Sequence, residues 1–340
     1  MIEMLMGARG KNSFKDFVAV ATLIDFGGAG PEYGIAYLDR SDGRVLTKRK
    51  WSDLTGSALA GIAPNYMVKD DDYLYLWDLY AKDLYKFDVN TLELVQKSSA
   101  AQGFVVKPGE ICETRDSDGK IKEIYFAAHD GSTYVLGAWR GPDLTCTIGF
   151  KKAEGATAVN SLSTDGLRVY FAGNTLKYLY YFDTYGNGAA ASLQTLIANT
   201  SSYTYDELVA FNGSGFHFIT NSSLVRAFNS SFSYQGNYGN GNIPKKFARK
   251  SRETPNIYVT REGNVIQTNS IDSNGYLGAY GPMTASTTEV STYGVDVALG
   301  YEVYYSSKNG SVVGRAKNSG DAWLTELATG NSLSNSTLCI

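Results

Sequence analysis

The stretch NIYVTREGNVIQTNS, residues 256–270, holds two short runs of Tyr, Val and Ile on either side of a Glu262-Gly263 corner. β-Branched and aromatic residues suit the pleated surface of a strand, and Gly supplies the positive φ that a tight hairpin needs. The same shape recurs as EIYFAAHDGSTYVLGAW at 123–139 and YEVYYSSKNGSVVGRAK at 301–317. Corners of this kind fall at Asp42-Gly43, Lys82-Asp83, Asp130-Gly131, Gly173-Asn174, Asn221-Ser222, Glu262-Gly263 and Asn309-Gly310. Successive corners lie 40 to 48 residues apart, about 44.5 on average, so seven units occupy nearly the whole chain.

Each corner has further strand-like segments on both sides. Upstream are NYMVKDD, AVNSLSTDG, ELVAFNGSG and YGVDVALG; downstream are TLELVQKS, TCTIGF, SLQTLI and AWLTELAT. That makes four short strands per unit, with no apolar spacing of 3.6 sustained long enough for a helix of more than two turns. A four-stranded sheet this small cannot bury both its faces alone. Stacking units around an axis covers each sheet with its neighbours. The expected fold is therefore all-β, a seven-bladed β-propeller of four-stranded antiparallel blades. It occupies 16–340, preceded by an arm at 1–15, and STLCI at 336–340 can add a strand beside the first blade. The Lys82-Asp83 corner fits least well, and a longer loop is expected there.

Apolar residues make up 43% of the chain, enough for a continuous core, while charged residues reach only 19%. Ser, Thr, Asn, Gly and the hydroxyls of 25 Tyr must carry much of the surface. A net charge of −3 argues against broad attraction to nucleic acid or anionic membrane. The opening MIEMLMGARGKNSFKDF lacks the basic-then-apolar order of a signal peptide, and no apolar run approaches a membrane span. Cys112, Cys146 and Cys339 are odd in number and far apart, so free thiols are expected.

The residues YLYLWDLYAKDLYKFDVNTLELV (73–95) and NIYVTREGNVIQT (256–268) resemble blades of the YVTN-type propellers, a WD40-like superfamily. That resemblance implies a binding platform. Trp77-Asp78 stands alone and inside a strand, unlike the usual WD pair. In architecture and texture the chain also looks like the propeller parts of bacteriophage tail proteins, such as nozzle or hub subunits.

Motifs for chemistry are scarce. His129 and His217 cannot supply a three-histidine zinc site, and no metal or other cofactor is expected. Asp116, Asp118 and Gly119 suggest a calcium loop, but the twelfth position is Ala127 where a bidentate Glu is required, so a hairpin turn is the better reading. No nucleophile elbow, P-loop or dinucleotide fingerprint is present. The charged feature that stands out is PKKFARKSRE, with Lys245, Lys246, Arg249, Lys250 and Arg252 on the expected inner strand of the sixth unit. Strand alternation would send Lys246, Lys250 and Arg252 one way and Lys245 and Arg249 the other. An acidic protein or anion is the partner such a cluster would meet. The function expected from the sequence is a non-enzymatic, protein-binding subunit of a larger assembly, most consistent with a virion or tail component made in the host cytoplasm. The arm at 1–15 would dock on a neighbour. The competing readings are a carbohydrate-binding or glycan-cleaving propeller and an intracellular scaffold in the cytoplasm.

Overall fold

A computed structural model describes residues 16–56, 64–78, 83–99, 111–129, 134–153, 159–173, 178–184, 194–198, 205–211, 215–220, 225–228, 234–238, 244–248, 256–261, 265–270, 281–284, 292–298, 302–307, 312–317, 320–329 and 336–340. They form seven four-stranded antiparallel sheets. The first sheet takes β1 (Phe17–Ile24), β2 (Glu32–Asp39) and β3 (Val45–Lys50). The second is β4 (Pro64–Lys69), β5 (Tyr73–Asp78), β6 (Asp83–Asp88) and β7 (Leu94–Ser99), and the third β8 (Cys112–Arg115), β9 (Ile121–His129), β10 (Tyr134–Arg140) and β11 (Thr145–Ala153). The fourth is β12 (Val159–Thr164), β13 (Arg168–Gly173), β14 (Tyr178–Asp183) and β15 (Gln194–Ala198), and the fifth β16 (Tyr205–Phe211), β17 (Gly215–Thr220), β18 (Val225–Phe228) and β19 (Tyr234–Tyr238). The sixth is β20 (Pro244–Ala248), β21 (Asn256–Arg261), β22 (Val265–Ser270) and β23 (Gly281–Thr284), and the seventh β24 (Thr292–Ala298), β25 (Glu302–Ser307), β26 (Val312–Lys317) and β27 (Gly320–Glu326). The last strand, β28 (Thr337–Cys339), returns to the first sheet, which has the order β28-β1-β2-β3.

The leading strands of the sheets meet one another. β28 abuts β4 and β24, β12 abuts β8 and β16, and β20 abuts β16 and β24. Sheets two and three join through a shared core of Tyr66, Val68, Tyr75, Trp77 and Leu84 against Ile111, Ile124, Phe126, Trp139 and Leu144. The result is a closed ring of seven blades, with β28, β4, β8, β12, β16, β20 and β24 innermost and β3, β7, β11, β15, β19, β23 and β27 outermost. This is the seven-bladed β-propeller that the repeat implies.

Strand alternation builds the seams between blades. In blade two, Met67, Leu74, Leu76, Tyr85 and Phe87 face blade one, while Tyr66, Val68, Tyr75, Trp77 and Leu84 face blade three. Period-two patterning thus gives each blade two buried faces, and a one-residue slip in register would exchange them. Among the described residues one short helix, α1 (Trp51–Thr55), follows β3 and ends at Gly56, whose φ of 67° lets its N–H reach the Ser52 carbonyl. Trp51 packs edge-on against Tyr85, with centroids 4.9 Å apart.

Ring closure differs from the other six blades. β1 pairs with β28 in the register Ala19–Cys339, Val20–Leu338 and Ala21–Thr337, so the first blade draws one strand from one end of the sequence and three from the other. As a consequence Asp42-Gly43 joins the third and fourth strands of its blade, whereas the other six corners fall between second and third strands. The equivalent connection in blade one is residues 25–31, between β1 and β2. The Lys82-Asp83 corner is indeed wider than a two-residue hairpin, since β5 ends at Asp78 and β6 begins at Asp83.

Candidate interaction surface

The basic stretch divides at the end of a strand. Lys245 and Lys246 lie in β20, the inner strand of blade six, where Lys246 pairs in register with Thr260. β20 stops at Ala248, so the alternation read across 245–252 does not extend to Arg249, Lys250 and Arg252, which lie outside the described residues. His129 closes β9 in blade three and His217 lies in β17 in blade five, on different sheets. Among the described residues no group of three or more His, Cys, Asp or Glu is placed to hold a metal ion.

The acidic turns serve the fold. Asp70 Oδ1 accepts the Asp72 and Tyr73 N–H groups at 2.9 and 2.8 Å, and its Oδ2 accepts the Ile121 N–H of the next blade at 3.0 Å. Asp116 Oδ1 accepts the Asp118 and Lys120 N–H groups at 3.0 and 2.9 Å, with Gly119 at φ 80°. This is the hairpin turn expected at that place. Arg115 spans the same seam, donating to the Lys69 carbonyl at 2.8 Å and the Gly119 carbonyl at 2.7 Å. Tyr66 donates its hydroxyl to Glu113 across it. On the other face of blade three, buried Glu123 accepts hydrogen bonds from Thr114 and Tyr125 at 2.9 and 2.7 Å.

Among the described residues a recurring device stitches blades one, two and three each to the blade before it: the turn between third and fourth strands offers carbonyls to donors on the preceding blade. Thr325 and Trp323 of blade seven donate to the Gly43 and Arg40 carbonyls of blade one, at 2.6 and 3.0 Å. Tyr37 of blade one donates to Val89 of blade two at 2.9 Å. Lys86 and Ser98 of blade two donate to Pro142 and Leu144 of blade three, at 3.0 and 2.9 Å. Each of these three turns holds residues of positive φ: Gly43 at 75° in blade one, Leu92 at 58° in blade two, and Gly141 at 69° with Leu144 at 49° in blade three. A leucine in that region carries about 1–2 kcal/mol of backbone strain. Leu92 and Leu144 tolerate it because their side chains fill the seam and are almost wholly buried. Gly43 has no room for a side chain, since a Cβ there would lie 2.4 Å from the Trp323 ring. At the closing seam the filler comes from the opposite side.

Lys86 is buried at the seam between blades two and three, its ammonium 3.9 Å from the Tyr73 ring centroid. Burial is the main cause holding its pKa below the ordinary lysine value, against the attraction of Asp70 and Asp143. At the far end of blade two, buried Asp78 and Asp83 face each other across the β5–β6 corner, and Lys97 forms an ion pair with Asp83 at 2.7 Å. The phenol of Tyr85 is pushed well above its ordinary pKa, first by burial and then by Asp83 and Asp78. Sequence reasoning missed this acid pair, although the Asp residues bounding the poorly fitting corner marked it.

The open outer circumference carries a different chemistry. Val45 and Leu46 begin β3 and are 37% and 39% exposed; Leu94 and Val95 begin β7 and are 37% and 48% exposed. Leu324 on β27 of the adjoining blade is also exposed. Single exposed apolar residues are ordinary, but consecutive pairs at matching places on adjacent outer strands, next to open backbone edges, form a surface suited to another chain. Polar Thr145 occupies the corresponding start of β11, so the apolar rim fades at blade three.

No protein-family model and no curated protein matches the sequence. Solved structures match by shape. A 6-phosphogluconolactonase-like protein from Bacteroides fragilis superposes with a TM-score of 0.59 at 12% identity, covering 96% of this chain and 98% of that one. Virginiamycin B lyase from Staphylococcus aureus gives 0.58 at 10% identity, covering 85% and 96%. The Cps50 (Swd1) propeller domain of Myceliophteria thermophila gives 0.58 at 11% identity, covering 80% and 91%. At such identities the likeness establishes the β-propeller fold and leaves the activity to the site. It also corrects one expectation. Scarcity of catalytic motifs pointed to a protein without enzymatic activity, yet proteins named as a lactonase and a lyase share this architecture over most of their length, so that exclusion does not stand. The physical reason is that propeller sites are assembled from residues on separate blades, which leave no contiguous motif.

Proposed function

We propose that the chain is a protein-binding propeller acting as a subunit of a larger assembly, with the outer strands of blades one and two as its docking surface. The observation that carries this reading is the matched exposure of Val45-Leu46 and Leu94-Val95. The carboxylates and cations of the blade-two to blade-three seam support it, because their observed contacts serve the fold. A bacteriophage tail or virion assembly is the setting that the sequence texture favours, and protein synthesis in the host cytoplasm belongs to the same proposal.

The test is a double variant, Leu46→Glu with Val95→Glu, expressed in place of the native chain. Surface changes of this kind leave stability within about 0.5 kcal/mol. Sedimentation of the native assembly should show the variant shifted to the free pool by tenfold or more, with its melting temperature unchanged. A variant that co-sediments like the native chain would overturn the proposal.

A further inference from the structure

Resting on that reading, we propose that the partner docks by adding an extended acidic segment to the open edge of β3, where its carboxylates meet the cations of that strand. In the sheet order β28-β1-β2-β3, β3 pairs with β2 alone among the described residues, which leaves the N–H and C=O groups of its far side to another chain. A register shift falls at Leu46, between the Leu38–Val45 and Tyr37–Thr47 pairs, and Thr47 to Lys50 then pair regularly. The usable edge is this regular track, with Val45 and Leu46 exposed at its start.

The charge on the strand decides what can pair with it. Arg44, Lys48, Arg49 and Lys50 lie in a stretch, 44–50, that holds no acid, although the chain has a net charge of −3. Lys50 is neutralised by Glu32 at 2.5 Å, and Arg44 stands 3.8 Å from Asp39. Lys48 is exposed and donates to a neutral acceptor, the Asp25 carbonyl, at 2.5 Å; Arg49 is exposed as well. These two cations occupy opposite faces of the sheet. Thr47 and Arg49 align with Tyr37 and Ile35, on the face from which Tyr37 reaches the Val89 carbonyl of blade two. Lys48 and Lys50 flank the Phe26 ring, 5.4 and 5.5 Å from its centroid. An added strand therefore meets positive charge on both its faces. On β7, by contrast, Lys97 is already paired with Asp83. A second copy pairing β3 to β3 would set like charges against each other, which destabilises cross-strand pairs. A carboxylate placed there gains charge-assisted hydrogen bonds instead. The charges that keep this edge from pairing indiscriminately thus also select its partner.

Fluorescence anisotropy of the intact chain tests this with short labelled peptides, one alternating Glu and Val and one alternating Lys and Val. The Glu peptide should bind about tenfold more tightly than the Lys peptide, and raising the salt from low to molar strength should weaken it severalfold. Lys48→Glu with Arg49→Glu should reverse the preference, a gain that loss of folding cannot produce. N-methylation of the Glu peptide's amides should abolish binding, because a strand edge is joined through backbone groups. Equal binding of the two peptides, binding that survives N-methylation, or self-association of the native chain that blocks the Glu peptide would overturn the proposal. In the native assembly, co-sedimentation of the Lys48→Glu with Arg49→Glu chain, while Leu46→Glu with Val95→Glu is released, would reject the acidic strand alone. Co-sedimentation of both variants would reject the docking surface itself.

Discussion

Removing residues 336–340 is expected to abolish cooperative folding. β28 contributes Thr337, Leu338 and Cys339, all buried, and Ser336 beside them is buried as well. Truncating a single buried leucine costs about 2–5 kcal/mol. Here the backbone pairing to β1 is lost too, together with the inner strand that separates β4 from β24. The sum reaches the order of 5–15 kcal/mol that a whole domain has in reserve. Far-UV and near-UV circular dichroism should show loss of the sharp thermal transition. A peptide of residues 331–340, supplied in excess, should restore it by binding the open blade. A truncated chain melting within a few degrees of the full one would mean that β28 is an accessory rather than the closing strand.

The second large effect is alkaline unfolding. Tyr37, Tyr75, Tyr85 and Tyr170 are buried, and burial is the leading cause raising each phenol above its ordinary value, with help from Asp88 at Tyr37, Asp70 at Tyr75, and Asp165 at Tyr170. In the unfolded chain these phenols ionise near pH of about 10. Above that pH the unfolded state holds fewer protons than the folded one, so stability falls as pH rises, by about 1.4 kcal/mol per pH unit for each phenol. Four together approach about 5 kcal/mol per unit. Lys86 works in the opposite sense: its depressed pKa is a penalty at neutral pH that is relieved as pH rises towards the free lysine value, but it is one group against four. Titration followed at 295 nm and by circular dichroism should show exposed tyrosines ionising first and the buried set ionising only as the sheet signal collapses. Complete phenol ionisation with intact sheet signal would contradict these burial assignments.

The repeat was readable because every blade obeys the same local rule. In blade two, Tyr75 and Trp77 face one neighbour and Leu74 and Leu76 the other, a period-two pattern that needs no knowledge of the ring. Closure was harder. Asp42-Gly43 satisfies the chemistry of a hairpin corner and continues the 44-residue spacing, yet it lies one strand further along its blade than the other corners. That offset follows from β28 pairing with β1 across more than 300 residues of sequence; STLCI was readable as a strand added beside the first blade, but no local signal places it innermost. Leu92 and Leu144 were equally opaque, since nothing about a leucine in sequence announces positive φ; tertiary packing in the seam outweighs the backbone preference.

For the candidate site, sequence reading and structure emphasise different features. PKKFARKSRE is conspicuous as a charge run, and its first two lysines do lie on an inner strand. The apolar rim carries no local signal, because Val45-Leu46 and Leu94-Val95 have the same composition as strand residues that are buried. Their exposure comes from belonging to outermost strands, a consequence of blade order rather than of composition.

The ring is shut by the far end of the chain, and a single covalent link tests that closure. Ala19 and Cys339 are cross-strand partners, and such neighbours lie about 4.5–5.5 Å apart, within disulfide reach. In a chain carrying Ala19→Cys, with Cys112→Ser and Cys146→Ser, mild oxidation should produce a monomer that migrates faster on non-reducing electrophoresis and reverts with reductant. Failure to form that intramolecular link in folded protein, or formation of linked dimers alone, would contradict the closed seven-bladed ring.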